Sequence, residues 1–112
     1  MVKTKILDPI TPGEILMEDF MEPLGISINK LSRDIGVPPN RISEIVNGKR
    51  SITVDTALRF QRYFNVEAQF WLNLQGEYDL RMTKQKIWGE LERRIIPIPK
   101  DTSGSESKIK MT

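Results

Sequence analysis

Two residue types are missing from these 112 residues, cysteine and histidine, and each absence removes a class of chemistry. Without cysteine there can be no disulfide, thiol nucleophile or thiolate zinc site, a composition that fits a reducing cytosol. Without histidine, Ser-His catalysis, imidazole acid-base chemistry and most metal-hydrolase sites cannot be assembled. No catalytic residue, metal or cofactor is therefore expected. Long apolar runs are missing as well, and no secretory pattern marks the start, so the sequence predicts a soluble, cytoplasmic protein with no membrane partner. There is no internal repeat. The length suits one domain near the small end of the range, where dimerisation would add stability and a second, enzymatic domain would not fit.

A strong net charge is also lacking. The balance of +2 is too small to argue for nucleic acid, but its distribution is uneven. Residues 1–26 carry two Lys/Arg against five Asp/Glu, and residues 63–80 carry none against three. Residues 27–62 carry seven against three, and residues 81–112 eight against four. A basic stretch flanked by acidic ones suits a surface that faces phosphate.

Within that basic stretch, SINKLSRDIGVPPNRISEIVNGKR (residues 27–50) reads as two short helices around a tight turn. Ser27 can cap the first helix by accepting from a free amide of its first turn, and Ile28, Leu31 and Ile35 share one face. Gly36 permits a left-handed end, and Val37, lying before a proline, is pushed towards an extended shape. Pro38 and Pro39 are placed in the first turn of the next helix, where their missing amide hydrogens cost nothing. Ile42, Ile45 and Val46 then point to the core, Asn40, Arg41 and Glu44 point outward with Ser43 and Asn47 at the margins, and Gly48 closes the helix.

This pattern is that of a helix-turn-helix, whose second helix enters the DNA major groove. Arg can pair with guanine, Asn with adenine, and Glu can accept from cytosine N4. Asn40, Arg41, Ser43 and Glu44 are thus candidates to read bases. Ser27, Asn29, Asn47, Lys49 and Arg50 are candidates to hold phosphates. The competing reading is an ordinary helical hairpin with a solvated polar face.

Elsewhere, Thr11-Pro12-Gly13-Glu14 forms a compact helix start, followed by Ile15, Leu16, Phe20 and Met21 on an apolar face and stopped by Pro23 and Gly25. Thr53 can cap a helix from Val54 to Phe64, with Ala57, Leu58, Phe60 and Phe64 towards the core and Asn65 at its end. A fifth helix, from about Glu67 to Leu80, places Phe70, Trp71, Leu74 and Tyr78 at helical spacing for core or dimer packing. Met82, Trp88, Leu91 and Ile95 mark a separate further helix weakened by Gly89. Ile95-Ile96-Pro97-Ile98-Pro99 reads as an extended segment, either an edge strand or docking segment, or a cover for the domain's own surface. Four regions result: an N-terminal arm (1–10), extended around Ile6 and Leu7; an all-α, five-helix repressor-like helix-turn-helix domain (11–82); a helical/extended C-terminal extension (83–99); and a disordered tail (100–112).

Taken together, ITPGEILMEDFMEPLGIS, NKLSRDIGVPPNRISEIVNGKRSITVDTALRF and FWLNLQGEYDLR resemble the HigA-type antitoxins, also called virulence-associated protein I, of the Cro/C1 repressor (XRE) class. The resemblance spans about residues 8–82. It implies a homodimeric antitoxin that neutralises a small ribosome-dependent mRNA endonuclease toxin and represses its own operon at a palindromic operator. Matched to the class, Pro39, Asn40, Arg41 and Glu44 are groove-facing, and Ser27, Ile28, Lys49 and Arg50 are phosphate-facing. Ile28 stands where related repressors often place Gln, and Pro39 offers neither amide nor polar side chain, so base reading shifts towards Asn40 and Arg41. The alternative is a stand-alone dimeric repressor with no toxin. An enzyme is disfavoured: Glu18, Asp19 and Glu22 share the first helix with no acid-base or metal-binding partner, as a solvated acidic face would.

Overall fold

Thr11 begins the first helix as the sequence requires. Its hydroxyl accepts from the Glu14 amide at 3.1 Å, and the Glu14 carboxylate accepts from the Thr11 amide at 3.0 Å, so two otherwise orphaned donors are satisfied reciprocally. Helix α1 then runs through Pro12–Ile15, a π-helical turn at Leu16–Met21, and Glu22–Leu24. The wide turn is not visible in the sequence pattern. Its bonds reach back five residues, as from the Glu22 amide to the Met17 carbonyl, and they bring Leu16 and Met21, five apart, to the same buried side.

The computed structural model describes residues 9–99. The arm expected around Ile6 and Leu7 and the tail expected over residues 100–112 lie outside them. Every regular element among the described residues is a helix: after α1 come α2 (Ile28–Ile35), α3 (Pro39–Val46), α4 (Val54–Phe64) and α5 (Ala68–Arg94). The chain divides into two compact units, one ending at Met82 and the other starting at Thr83. None of the described helices is long and apolar enough to cross a membrane.

In the first unit, Leu16, Met21, Leu31, Ile42, Ile45, Ile52, Ala57, Phe60 and Trp71 form the core. Trp71 is fully buried, with the rings of Phe20, Phe60 and Phe70 centred 4.8, 5.0 and 5.0 Å from its own. Its indole N–H has no hydrogen-bond acceptor among the described residues; the tilted and edge-on rings around it supply packing in place of a polar partner. Helix starts and stops follow local chemistry. Ser27 and Thr53 accept from Lys30 and Thr56 amides at 3.0 and 3.3 Å, while Gly25, Gly36 and Asn65 end their helices at φ of 66°, 75° and 62°.

Two expectations need correction. Leu58 is 52% exposed rather than in the core. The buried stripe of α4 runs through Thr56, Ala57 and Phe60, and Leu58 lies about 100° around the helix from Ala57, on the far side from Phe60. Phe70, expected in core or dimer packing, sets its ring edge-on to Trp71 and keeps 38% of its surface exposed. Finally, α5 does not stop near Leu80; it continues to Arg94 through Gly76 and Gly89. Two glycines cost about 1 kcal/mol each, but no proline or cap interrupts a run of Gln, Lys, Glu, Arg, Leu and Met, which all favour helix. In the second unit the Glu90–Arg94 pair at 2.7 Å adds to that preference. Beyond Arg94, Ile95, Ile96 and Ile98 form no strand and are exposed.

Candidate nucleic-acid interface

The turn between α2 and α3 is fixed at both of its ends. The Ser32 carbonyl accepts from the amides of Gly36 and Val37 at 2.9 and 3.0 Å, and Val37 is buried, anchoring the turn to the core. Only one of the two prolines lies inside α3. Pro39 is its first residue, whereas Pro38, at φ −66° and ψ 146°, precedes it in extended conformation with its carbonyl accepting from the Arg41 amide. The strain that a second proline places on the residue before it explains the difference.

Helix α3 is held from inside by Ile42 and Ile45, which are 0% and 1% exposed, and from one end by backbone packing. Gly13 of α1 lies so close to the Ile45 carbonyl and Val46 that a Cβ at that position would overlap them. That approach, open only to glycine, sets the carboxyl end of α3 against α1. Beyond α3, Gly48 takes φ 76°, and the Lys49 amide bonds back to the Glu44 carbonyl at 2.8 Å. The Ile52 amide donates to Gln75 of α5 at 2.8 Å. The loop carrying Lys49 and Arg50 is thereby tied at two points.

On the outer side, Pro39 and Asn40 are exposed, while Arg41, Ser43 and Glu44 are half-buried. Ser27, Asn29, Asn47, Lys49 and Arg50 are all exposed. The structure brings Ser27, Asn29, Pro39, Asn40 and Ser43 together around one open hollow of ≈ 650 Å³, whose other walls are Met17, Ile26 and Ile28. Arg41, Glu44, Asn47, Lys49 and Arg50 do not line it, and three of them are engaged in ion pairs. Arg50 donates from Nε to Glu44 Oε1 at 2.7 Å, so a base-reading candidate and a phosphate candidate hold each other. Arg41 donates from Nη1 to Asp55 at 3.2 Å.

Asp55 and Arg59 were not singled out by sequence. Asp55 accepts from Arg59 Nε at 2.9 Å as well as from Arg41, and Arg59 Nη1 donates to the Ile35 carbonyl at 2.7 Å. A chain of contacts thus runs from the end of α2 through α4 to the outer face of α3. The Arg59 hydrogen bond first, and then the nearby positive charges, hold the Asp55 carboxyl below its usual range. The four-residue spacing of Asp55 and Arg59 is a helical pairing signal; nothing local announces the link to Arg41. A second carboxylate, Asp34, accepts from Lys30 at 2.8 Å and from the Tyr63 hydroxyl at 2.6 Å. All three carboxylates of residues 27–62 are therefore paired, and the surplus positive charge of this region stays at its surface. Arg41 uses one nitrogen for Asp55; its other guanidinium N–H groups have no acceptor among the described residues. Lys49 has no ion pair among them.

Residues 17–71 match the Helix-turn-helix family (HTH_3). Virulence-associated protein I of Dichelobacter nodosus is 46% identical over 97 residues, covering 87% of this chain and 88% of that protein. Antitoxin HigA-1 of Vibrio cholerae serotype O1 is 35% identical over 90 residues, covering 80% and 84%. Among solved structures, the Pseudomonas aeruginosa antitoxin HigA with higBA promoter superposes with a TM-score of 0.79 at 40% identity, over 81% of this chain and 99% of that one.

Proposed function

The chain belongs to the HigA and virulence-associated protein I family of helix-turn-helix antitoxins, and from that premise we propose that it represses its own operon as a dimer and neutralises a small ribosome-dependent mRNA endonuclease toxin. It is a regulator and not an enzyme. On this reading its place of action is the cytoplasm, with the operator DNA. The observation that carries the DNA reading is the outer face of α3, where exposed Asn40 and an Arg41 with unspent guanidinium donors are oriented by a buried anchor and a tied loop.

Each predicted polar residue then has a task. Asn40 and Arg41 supply the donors that adenine and guanine accept in the major groove. Ser43 and Glu44 border them, with Glu44 able to accept from cytosine once Arg50 turns to a phosphate. Ser27 and Asn29 lie at the amino end of α2, where free amides and the helix dipole favour phosphate; Asn47, Lys49 and Arg50 grip the backbone beyond α3. A two-fold dimer places its reading helices one helical turn apart, about 34 to 36 Å, and its operator is a palindrome.

Two measurements test this. Footprinting with the protein's own promoter DNA is expected to protect paired half-sites; a single unpaired half-site contradicts the dimer. Immobilised full-length protein is expected to retain, from lysate of its native host, a stoichiometric small protein that blocks translation when expressed alone. Operator binding without any such partner makes the chain a stand-alone repressor.

A further inference from the structure

The hollow beside α3 is built from the wrong residues for a surface that makes only polar contacts. Six of the eleven positions expected to face DNA line it, Ile28 among them, and the remaining wall is Met17 and Ile26. Pro39 stands at the rim, exposed, at the first position of α3, with no amide hydrogen and no polar side-chain atom. A base edge presenting only donors or acceptors to Pro39 and Ile28 would lose its water and gain no partner, which is costly. The major groove offers one apolar group, the 5-methyl of thymine.

We propose that Pro39, backed by Ile28, reads a thymine by its 5-methyl group, with neighbouring Asn40 supplying the polar contact to the adjoining base. The occupant is a DNA duplex because of what surrounds the hollow: Ser27 and Pro39 begin two helices whose amino ends converge on it, and residues 27–62 carry seven basic against three acidic side chains. Cytosine is disfavoured in the same place, since it lacks the methyl. The apolar side chains at positions 28 and 39 are thus part of the code rather than missing contacts. This assignment rests on the DNA-binding reading above.

The test removes single methyl groups. Duplexes that bind full-length protein are selected from a random pool, and each thymine of the selected site is replaced singly by deoxyuridine, which keeps every hydrogen-bonding atom. At one thymine in each half-site, affinity is expected to fall roughly fourfold, the worth of one buried methyl-sized group, with no comparable loss at the others. Cytosine at that position is expected to bind more weakly than 5-methylcytosine. In Pro39→Ser, thymine and deoxyuridine duplexes are expected to bind equally.

Indifference to deoxyuridine at every position, or a selected half-site with no thymine facing the start of α3, overturns the proposal while leaving operator binding intact. A deoxyuridine effect that persists undiminished in Pro39→Ser overturns the assignment to Pro39. Should that variant fail to fold, the substitution series on the unaltered protein still decides whether a methyl is read. Failure of every duplex to bind removes the DNA reading itself, an outcome distinguishable from all of these.

Discussion

Isoleucine meets opposite fates in the two units of this chain. In α3, Ile42 and Ile45 are buried at 0% and 1% exposure, and the polar residues between them are turned outward; in the second unit Ile95, Ile96 and Ile98 are exposed, Ile96 at 83%. Hydrophobicity alone does not separate them. The α3 pair recurs at three residues, a spacing that puts both on one helical face against α1, α2 and α4 residues of the same core. The later three are divided by Pro97, which removes an amide and blocks helix. The first set stabilises the fold, and the second leaves apolar surface available for a partner.

The largest expected break in that contrast comes from the core beneath the reading face. Phe60→Ala should destabilise the protein by about 3–5 kcal/mol, while Ile96→Ala should change stability by under about 0.5 kcal/mol; thermal or urea unfolding measures both. Equal effects would mean that the second unit is as tightly packed as the first. If the exposed isoleucines serve the toxin, Ile96→Ser should weaken toxin capture at unchanged stability and unchanged operator affinity.

Gly13→Ala comes next, expected to cost about 1–3 kcal/mol from overpacking against the Ile45 carbonyl. Gly76→Ala, at a helical position with open space, should instead stabilise by up to about 1 kcal/mol. The opposite signs at two glycines would separate close backbone approach from simple helix propensity.

Arg41→Ala should relax preference at one base pair and cost about 1–3 kcal/mol in operator affinity, whereas Lys49→Ala should weaken all duplexes alike and reduce the salt slope by about one unit. A uniform loss from Arg41→Ala would make that residue a phosphate contact. The smallest effect belongs to the Asp34–Tyr63 bond. The Lys30 and Tyr63 hydrogen bonds hold the Asp34 carboxyl below its ordinary 3.8, and the Asp34 bond raises the Tyr63 hydroxyl above its ordinary 10.0. The Asp34 contribution to stability is present above pH 3.8 and lost as acid protonates the folded carboxylate. The Tyr63 contribution is present below pH 10 and lost as the pH rises through its folded value. Tyr63→Phe should therefore flatten melting temperature against pH at both extremes; an unchanged profile would show that the bond contributes nothing in solution.

Much of the candidate interface is legible in the sequence because it is local. Ser27, Gly36, Val37, Pro39 and Gly48 act through bonds or backbone angles within about five residues of themselves, so their order along the chain already specifies a capped helix, a tight turn and a second helix. Leu58 is apolar like its neighbours, but the angle of the α4 stripe turns it away from the core. Contacts that span distance in sequence leave no such local signal. Pairs such as Arg41–Asp55 and Arg59–Ile35 join residues 14 and 24 apart, and no periodicity foretells them.

Composition and order by themselves determined that this chain builds helices without thiol or imidazole chemistry, three of them started by Thr11, Ser27 and Thr53 caps, and that α3 turns Asn40 and Arg41 away from its own core. Tertiary structure alone decided how α3 is presented. The approach of Gly13 to Ile45, the Asp55 carboxylate shared by Arg41 and Arg59, and the gathering of Ile28 and Pro39 around one hollow depend on the angles between helices. Those angles follow from how whole side-chain surfaces fit together, which is a property of the packed core and not of any single stretch.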